Sequence, residues 1–168
     1  MSPQIAPCIV VMGVSGAGKS TVGTLIAERL GLGFRDADEF HPPANIAKMS
    51  EGQPLTDADR WPWLDAIGAH LVAHRARGCV VTCSALKRAY RDRLRGAAPG
   101  LRFIHLHGEM ALVAARQAAR QGHFMPASLV ASQFATLELP EAEPDVIALD
   151  VAATPATLAE AAIHALGG

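Results

Sequence analysis

The sequence predicts an α/β fold in which a parallel five-stranded sheet is flanked by helices on both faces, with a helical lid over one end. Three observations carry that expectation. Short apolar runs alternate with stretches of helical periodicity along the chain, and right-handed crossovers turn such an alternation into a parallel sheet between two helical layers. The first run, Ile9-Val10-Val11-Met12, opens directly into Gly13-Val14-Ser15-Gly16-Ala17-Gly18-Lys19-Ser20, which meets the phosphate-binding pattern G-x-x-x-x-G-K-[ST] at every fixed position. Later, two arginines one turn apart are followed by a glycine-to-proline break, the composition of a hinged flap.

Strand, glycine loop and helix arrive in the order that a phosphate site requires. Val22, Leu25, Ile26 and Leu30 repeat at helical spacing after the loop, and Gly31 stops the helix. The loop glycines let backbone N–H groups turn towards a phosphate chain without Cβ atoms in the way, and the helix N-terminus adds about half a positive charge. The nucleotide set is Gly13, Val14, Ser15, Gly16, Ala17, Gly18, Lys19, Ser20 and Thr21, with Lys19 reaching the β- and γ-phosphates and the Ser20 hydroxyl ligating Mg²⁺. Phe34-Arg35-Asp36-Ala37-Asp38 reads as a second strand ending in two carboxylates, where parallel sheets place their ligands. By the two-residue period Asp36 and Asp38 share a face, so one can hold Mg²⁺ through water while the other orients a hydroxyl.

His41-Pro42-Pro43 opens a short polar helix through Met49, and Gln53-Pro54-Leu55-Thr56 turns the chain. A longer helix runs from about Asp57 or Asp59 to Arg77, with Trp63, Leu64, Ile67 and Leu71 on its apolar side. Pro62 fits best in a first turn, which favours Asp59 as the cap. His70 and His74 read as surface histidines, since a metal pair has no third ligand nearby. Cys79-Val80-Val81-Thr82-Cys83 is the third strand, followed by a basic helix from Ser84 to Arg95. Lys87, Arg88 and Arg91 lie near the strand's carboxyl end, where an anionic substrate group would sit. That strand lacks a terminal acid, so Mg²⁺ depends on Ser20 and the Asp36/Asp38 pair.

Leu101 to His107 is the fourth strand, and the helix from about Glu109 to Gln121 carries Arg116 and Arg120 on one face. Gly122-His123-Phe124-Met125-Pro126 breaks it before another helix begins, and the lid spans about residues 116–138. Arginines on such a flap close over a γ-phosphate, neutralise charge developing in transfer and keep water out. Asp145 to Asp150 supplies the last strand and Pro155 to Leu166 the last helix, with Ala152-Ala153-Thr154 between them as the adenine-side loop.

The 168 residues suffice for one domain, 1–168, with its own core. Fifteen cations against 16 anions give a net charge of −1, which argues against a strong field for nucleic acid or acidic membranes, leaves room for a local basic site, and favours a small polar metabolite as partner. No apolar stretch reaches membrane-spanning length, and the N-terminal apolar run, without a basic leader, is a core strand rather than a signal peptide. Cys8, Cys79 and Cys83, an odd number without C-x-x-C spacing, read as buried reduced thiols and fit the cytoplasm.

Over nearly its whole length the chain resembles the gluconokinases of the small, shikimate-kinase-like P-loop type. The matching stretches are Gly13 to Ser20, Asp36-Ala37-Asp38 with His41-Pro42, and Asn45-Ile46-Ala47-Lys48-Met49. They continue with Gly52-Gln53-Pro54-Leu55, Asp57 to Leu64, Cys83-Ser84-Ala85-Leu86-Lys87, Tyr90-Arg91-Asp92, Gly122-His123-Phe124, Ser132-Gln133-Phe134 and Leu137-Glu138. The resemblance implies a three-layer P-loop kinase fold, ATP and Mg²⁺ as cofactors, and phosphorylation of D-gluconate to 6-phospho-D-gluconate by a cytoplasmic homodimer. It also implies an acceptor-binding helical segment over about residues 41–77. On that reading Asp38 accepts the hydrogen bond and proton of the acceptor hydroxyl, while Asp36 holds Mg²⁺ through water. Lys19, Arg116 and Arg120 stabilise the transferring group. Arg60, Lys87 and Arg91 are candidates for the substrate carboxylate, and His41, Asn45, Lys48 and His123 for the polyol. Met125-Pro126 departs modestly from the family pattern in a variable part of the lid. A shikimate or nucleotide kinase shares the loop, carboxylates and lid. A GTP-driven switch does not fit, because the only asparagine, Asn45, precedes Ile46 and leaves no N-K-x-D signature.

Overall fold

The computed structural model describes residues 8–14, 16–119 and 127–167. Five strands, β1 Cys8–Met12, β2 Gly33–Asp36, β3 Cys79–Thr82, β4 Arg102–His107 and β5 Val146–Asp150, pair in parallel in the order β2-β3-β1-β4-β5. Every residue of β1 and β3 is buried, which is why both read as unbroken apolar runs, whereas the edge strand β5 is only partly covered.

The connecting helices are α1 Lys19–Leu30, α2 Pro43–Ser50, α3 Asp57–Ala73, α4 Arg88–Ala97, α5 Met110–Ala119, α6 Ala127–Thr136 and α7 Pro155–Gly167. The step from β1 to β2 runs one way along the sheet and all later steps run the other way. Right-handed crossovers then put α1, packed on α7, against one face and α3, packed on α4, against the other. That reversal opens a crevice at the carboxyl ends of β1 and β3. Beneath it lies a single core that includes Ile9, Val10, Ile26, Leu64, Ile67, Val80, Phe103 and Ile104. The three cysteines are buried and free, and no helix among the described residues is long and apolar enough to cross a membrane.

Several element boundaries differ from the sequence expectation, each for a local reason. β2 stops at Asp36, because its carboxylate accepts from the Asp38 N–H and Glu39 reaches back to the Asp36 N–H. This capping box starts a 3-10 helix, Ala37–Phe40, so Asp36 and Asp38 do not share a strand face. The long helix is capped by Thr56, not Asp59, since Thr56 and Asp59 form the reciprocal box, and Pro62 sits inside the helix. It ends at Ala73 rather than Arg77. The basic helix begins at Arg88, not Ser84, because Ala85 adopts φ 45° and residues 84–87 form a loop.

Candidate active site

Two glycines give the phosphate loop its shape. A Cβ on Gly13 would lie 2.6 Å from the Leu106 carbonyl oxygen, so only glycine lets the loop leave β1 against the end of β4. Gly18 caps α1 at φ 92°, with no side-chain hydrogen bond to the cap. No side chain caps the start of this twelve-residue helix, whose N-terminal end has the chemistry to hold an anion. The Lys19 ammonium donates to the carbonyls of Gly13 and Val14 at 3.0 Å each, which folds it along the loop. Ser15 lies outside the described residues.

Beside the loop, the Ser20 hydroxyl donates to Asp36 Oδ2 at 2.8 Å, joining α1 to the end of β2. A hydroxyl and a carboxylate are hard oxygen donors of the kind that Mg²⁺ takes together with phosphate oxygens and water. No cluster of three or more His, Cys, Asp or Glu that could hold a metal occurs among the described residues.

A cleft open to solvent joins this loop to the 3-10 helix and to α3. It is lined by Gly16, Gly18, Lys19, Ser20, Asp36 and Asp38, then by His41, Arg60 and Trp63, with Thr82 and Ser84 at the end of β3. Ser132, Gln133 and Thr136 of α6 form its opposite wall. The Trp63 indole N–H donates to the Ala37 carbonyl at 2.8 Å, which ties α3 to the 3-10 helix that carries Asp38. His41 stacks on Trp63 with ring centroids 4.2 Å apart. Burial and the nearby Arg60 charge lower the His41 pKa to about 4, so its imidazole is neutral at pH 7. The Asn45 amide donates to Nδ1 at 3.3 Å, an assignment that leaves the proton on Nε2, 4.0 Å from Asp38 Oδ1.

Of the residues expected to bind substrate, Asp38, His41 and Arg60 reach the cleft together. Asn45 and Lys48 do not line it. Both hold Asp59, Asn45 through the backbone carbonyl at 2.9 Å and Lys48 through the carboxylate at 2.7 Å, and so lock α2 to α3. Lys87 also lies outside the lining and pairs with Asp57 at 3.1 Å. Arg91 is wholly buried, with Glu143, the Ala85 carbonyl and the Glu138 carbonyl around it. It is a structural cation, not a carboxylate receptor. Arg116 donates to the Val151 carbonyl at 2.8 Å, beside the loop between β5 and α7 and away from the cleft lining. Arg120 and His123 lie outside the described residues.

Sequence reasoning did not nominate Trp63, Thr82, Ser84, Ser132, Gln133 or Thr136 as site residues. Trp63 carried a signal, since an aromatic with an N–H on an apolar helix face needs an acceptor. The α6 residues are spaced i, i+1, i+4, and only the fold shows which face of that helix meets the cleft.

Known proteins resemble this chain in sequence and in fold. A family model described as an AAA domain matches residues 8–140. The gluconokinase of Gluconobacter oxydans is 53% identical over 143 residues, covering 83% of this chain and 79% of that protein. The thermoresistant gluconokinase of Escherichia coli is 44% identical over 145 residues, covering 84% and 83%. The crystal structure of a gluconokinase from Sinorhizobium meliloti superposes with a TM-score of 0.89 at 53% identity, over 97% of this chain and 93% of that one. On that breadth of similarity, the chain belongs to the AAA-domain family that the model describes and, within it, to the gluconokinases.

Proposed function

We propose that this chain transfers the γ-phosphoryl group of ATP to the 6-hydroxyl of D-gluconate, giving 6-phospho-D-gluconate and ADP. The observation that carries this reading is that a phosphate loop, Asp38 and Arg60 line one cleft. A triphosphate, an acceptor alcohol and an acid group each find the chemistry they need there.

Lys19 exchanges the carbonyls of Gly13 and Val14 for β- and γ-phosphate oxygens, while the N–H groups at the start of α1 hold the same anion. Ser20 and Asp36 are the residues that would hold Mg²⁺, Asp36 through water, and the ion when bound neutralises charge on the phosphate oxygens. Asp38 accepts a hydrogen bond from the acceptor hydroxyl and takes its proton as oxygen bonds to the γ-phosphorus and the bond to ADP breaks. His41 presents its Nε2–H towards Asp38 and the polyol. Asn45 and Lys48 act at one remove, by fixing His41 and Asp59. Arg60 receives the substrate carboxylate. In this reading Arg116, Arg120 and His123 belong to the lid over about residues 116–138, and its closure keeps water from the γ-phosphate. Buried reduced thiols suit a reducing compartment, so a cytoplasmic location is part of the proposal, as is a homodimer that sedimentation would test. The product would feed the pentose phosphate and Entner-Doudoroff routes.

A coupled ADP-release assay on purified protein tests the whole reading, with gluconate, shikimate and a nucleoside monophosphate offered in turn. Turnover should depend on gluconate, and turnover on another acceptor with none on gluconate would overturn the substrate. Asp38→Asn should keep the nucleotide Kd and lower kcat by about 10²- to 10⁴-fold. A near-normal kcat would remove Asp38 from proton transfer.

A further inference from the structure

Arg60 is held on one side of its guanidinium and open on the other. Nη1 engages the Leu55 carbonyl at 2.7 Å and the Tyr90 hydroxyl at 3.0 Å, which uses both of its hydrogens. The edge formed by Nε and Nη2 has no partner among the described residues. Elsewhere in this chain that same edge clasps carboxylates. Arg91 grips Glu143 with both bonds at 2.8 Å, and Arg93 grips Asp65 at 2.7 and 2.8 Å. Arg60 lines the cleft, so the fork it keeps is the one with carboxylate geometry.

Of the two groups that fix Nη1, Leu55 lines the cleft and Tyr90 lies outside its lining. The Tyr90 ring is buried in the first turn of α4, with the Arg60 Cζ 5.2 Å from its centroid and Trp61 edge-on at 5.7 Å. Its hydroxyl donates its one proton to Asp57, leaving lone pairs to accept from Arg60. Asp57, the first residue of α3, is held in turn by Lys87 at 3.1 Å. Donor and acceptor roles are thereby set along the whole row from Lys87 to Arg60.

We propose that Tyr90 and Asp57 are positioning residues that pin Nη1 of Arg60, so that its Nε–Nη2 edge meets the substrate carboxylate and the enzyme prefers an acid over an uncharged polyol. The proposal rests on Arg60 being the carboxylate anchor. It makes Tyr90 a determinant of specificity although it does not line the site.

The test compares gluconate with D-glucitol, which carries a hydroxymethyl group in place of the carboxylate. Where glucitol turns over too slowly, its inhibition constant against gluconate gives the same comparison. Arg60→Met should raise the KM for gluconate by about 30- to 100-fold. Tyr90→Phe keeps the ring and should raise that KM by about 5- to 30-fold, with kcat changed less than about threefold and the glucitol value almost unmoved. Asp57→Asn should act in the same direction and more weakly. In the Arg60→Met background Tyr90→Phe should add nothing further. Thermal unfolding checks that each variant folds. If Arg60→Met weakens gluconate while Tyr90→Phe does not, or if Tyr90→Phe weakens both acceptors alike, the positioning role is overturned and the anchor stands. If Arg60→Met leaves the gluconate KM unchanged, the anchor itself is wrong.

Discussion

Arg60 and Arg91 both sit near the carboxyl ends of the strands, and the fold gives them opposite positions. Arg60 makes two hydrogen bonds from one nitrogen and lines the cleft. Arg91 is fully buried, with its Nε–Nη2 edge on Glu143 and further bonds to the carbonyls of Ala85 and Glu138. The difference teaches that a cation serves a substrate only through donors that the chain has not already engaged. Charge and location in sequence do not reveal this, whereas the partner list of each nitrogen does.

Arg91→Met is the strongest way to break the comparison. Removing one member of a buried pair leaves Glu143 with a single cation, Arg95, 2.6 Å away. The loss should be about 3 kcal/mol, at the low end for a broken buried pair because Arg95 remains. Urea denaturation measures it, and the fraction that folds should bind gluconate with an unchanged KM. Adding Glu143→Leu should restore part of the stability, since an apolar replacement of both partners removes the uncompensated charge. A stable Arg91→Met protein with a raised gluconate KM would show that Arg91 does serve the substrate.

The same pair makes a smaller prediction in acid. Hydrogen bonds from Arg91, opposed by burial and aided by Arg95, lower the Glu143 pKa from 4.5 to about 2. A depressed carboxyl contributes stability that is fully present above its unfolded pKa of 4.5 and is lost as pH falls through about 2. Glu143→Gln should therefore flatten the fall in unfolding free energy between those two values. An unaltered slope would mean that other carboxyls account for acid unfolding.

These residues also show how far the sequence reaches. The phosphate loop was legible because its chemistry is backbone chemistry, written in eight contiguous residues with a strand before and a helix after. Asp36 and Asp38 were located, but their shared face was misread, because Glu39 competes locally for the Asp36 N–H and ends the strand. Thr56 and Asp59 posed a similar contest, and the reciprocal box won over the preference for proline in a first turn. The burial of Arg91 was not legible, since Glu143 lies 52 residues further along and meets it only through the tertiary fold. The cleft wall on α6 was hidden for the same reason, because which face of a helix is inward depends on what packs around it.

Lys87 is the intermediate case and gives the smallest expected effect. It is a cation at the same end of the sheet, partly exposed, outside the cleft lining and paired with Asp57, whose side chain is half exposed. Exposed pairs of this kind contribute little, because solvent screens them and two long side chains lose freedom to meet. The Tyr90 hydroxyl is the larger cause of the lowered Asp57 pKa and Lys87 the next, so Asp57 keeps its main partner when Lys87 is cut back. Lys87→Ala should thus leave the midpoint of thermal unfolding within about 2 °C and raise the gluconate KM by less than about threefold. A rise of the size expected for Arg60→Met would mean that the ammonium leaves Asp57 and reaches the carboxylate when gluconate is bound. The acid end of the substrate would then be held by two cations, and the distinction between engaged and open donors would have to be drawn in the complex rather than in the free chain.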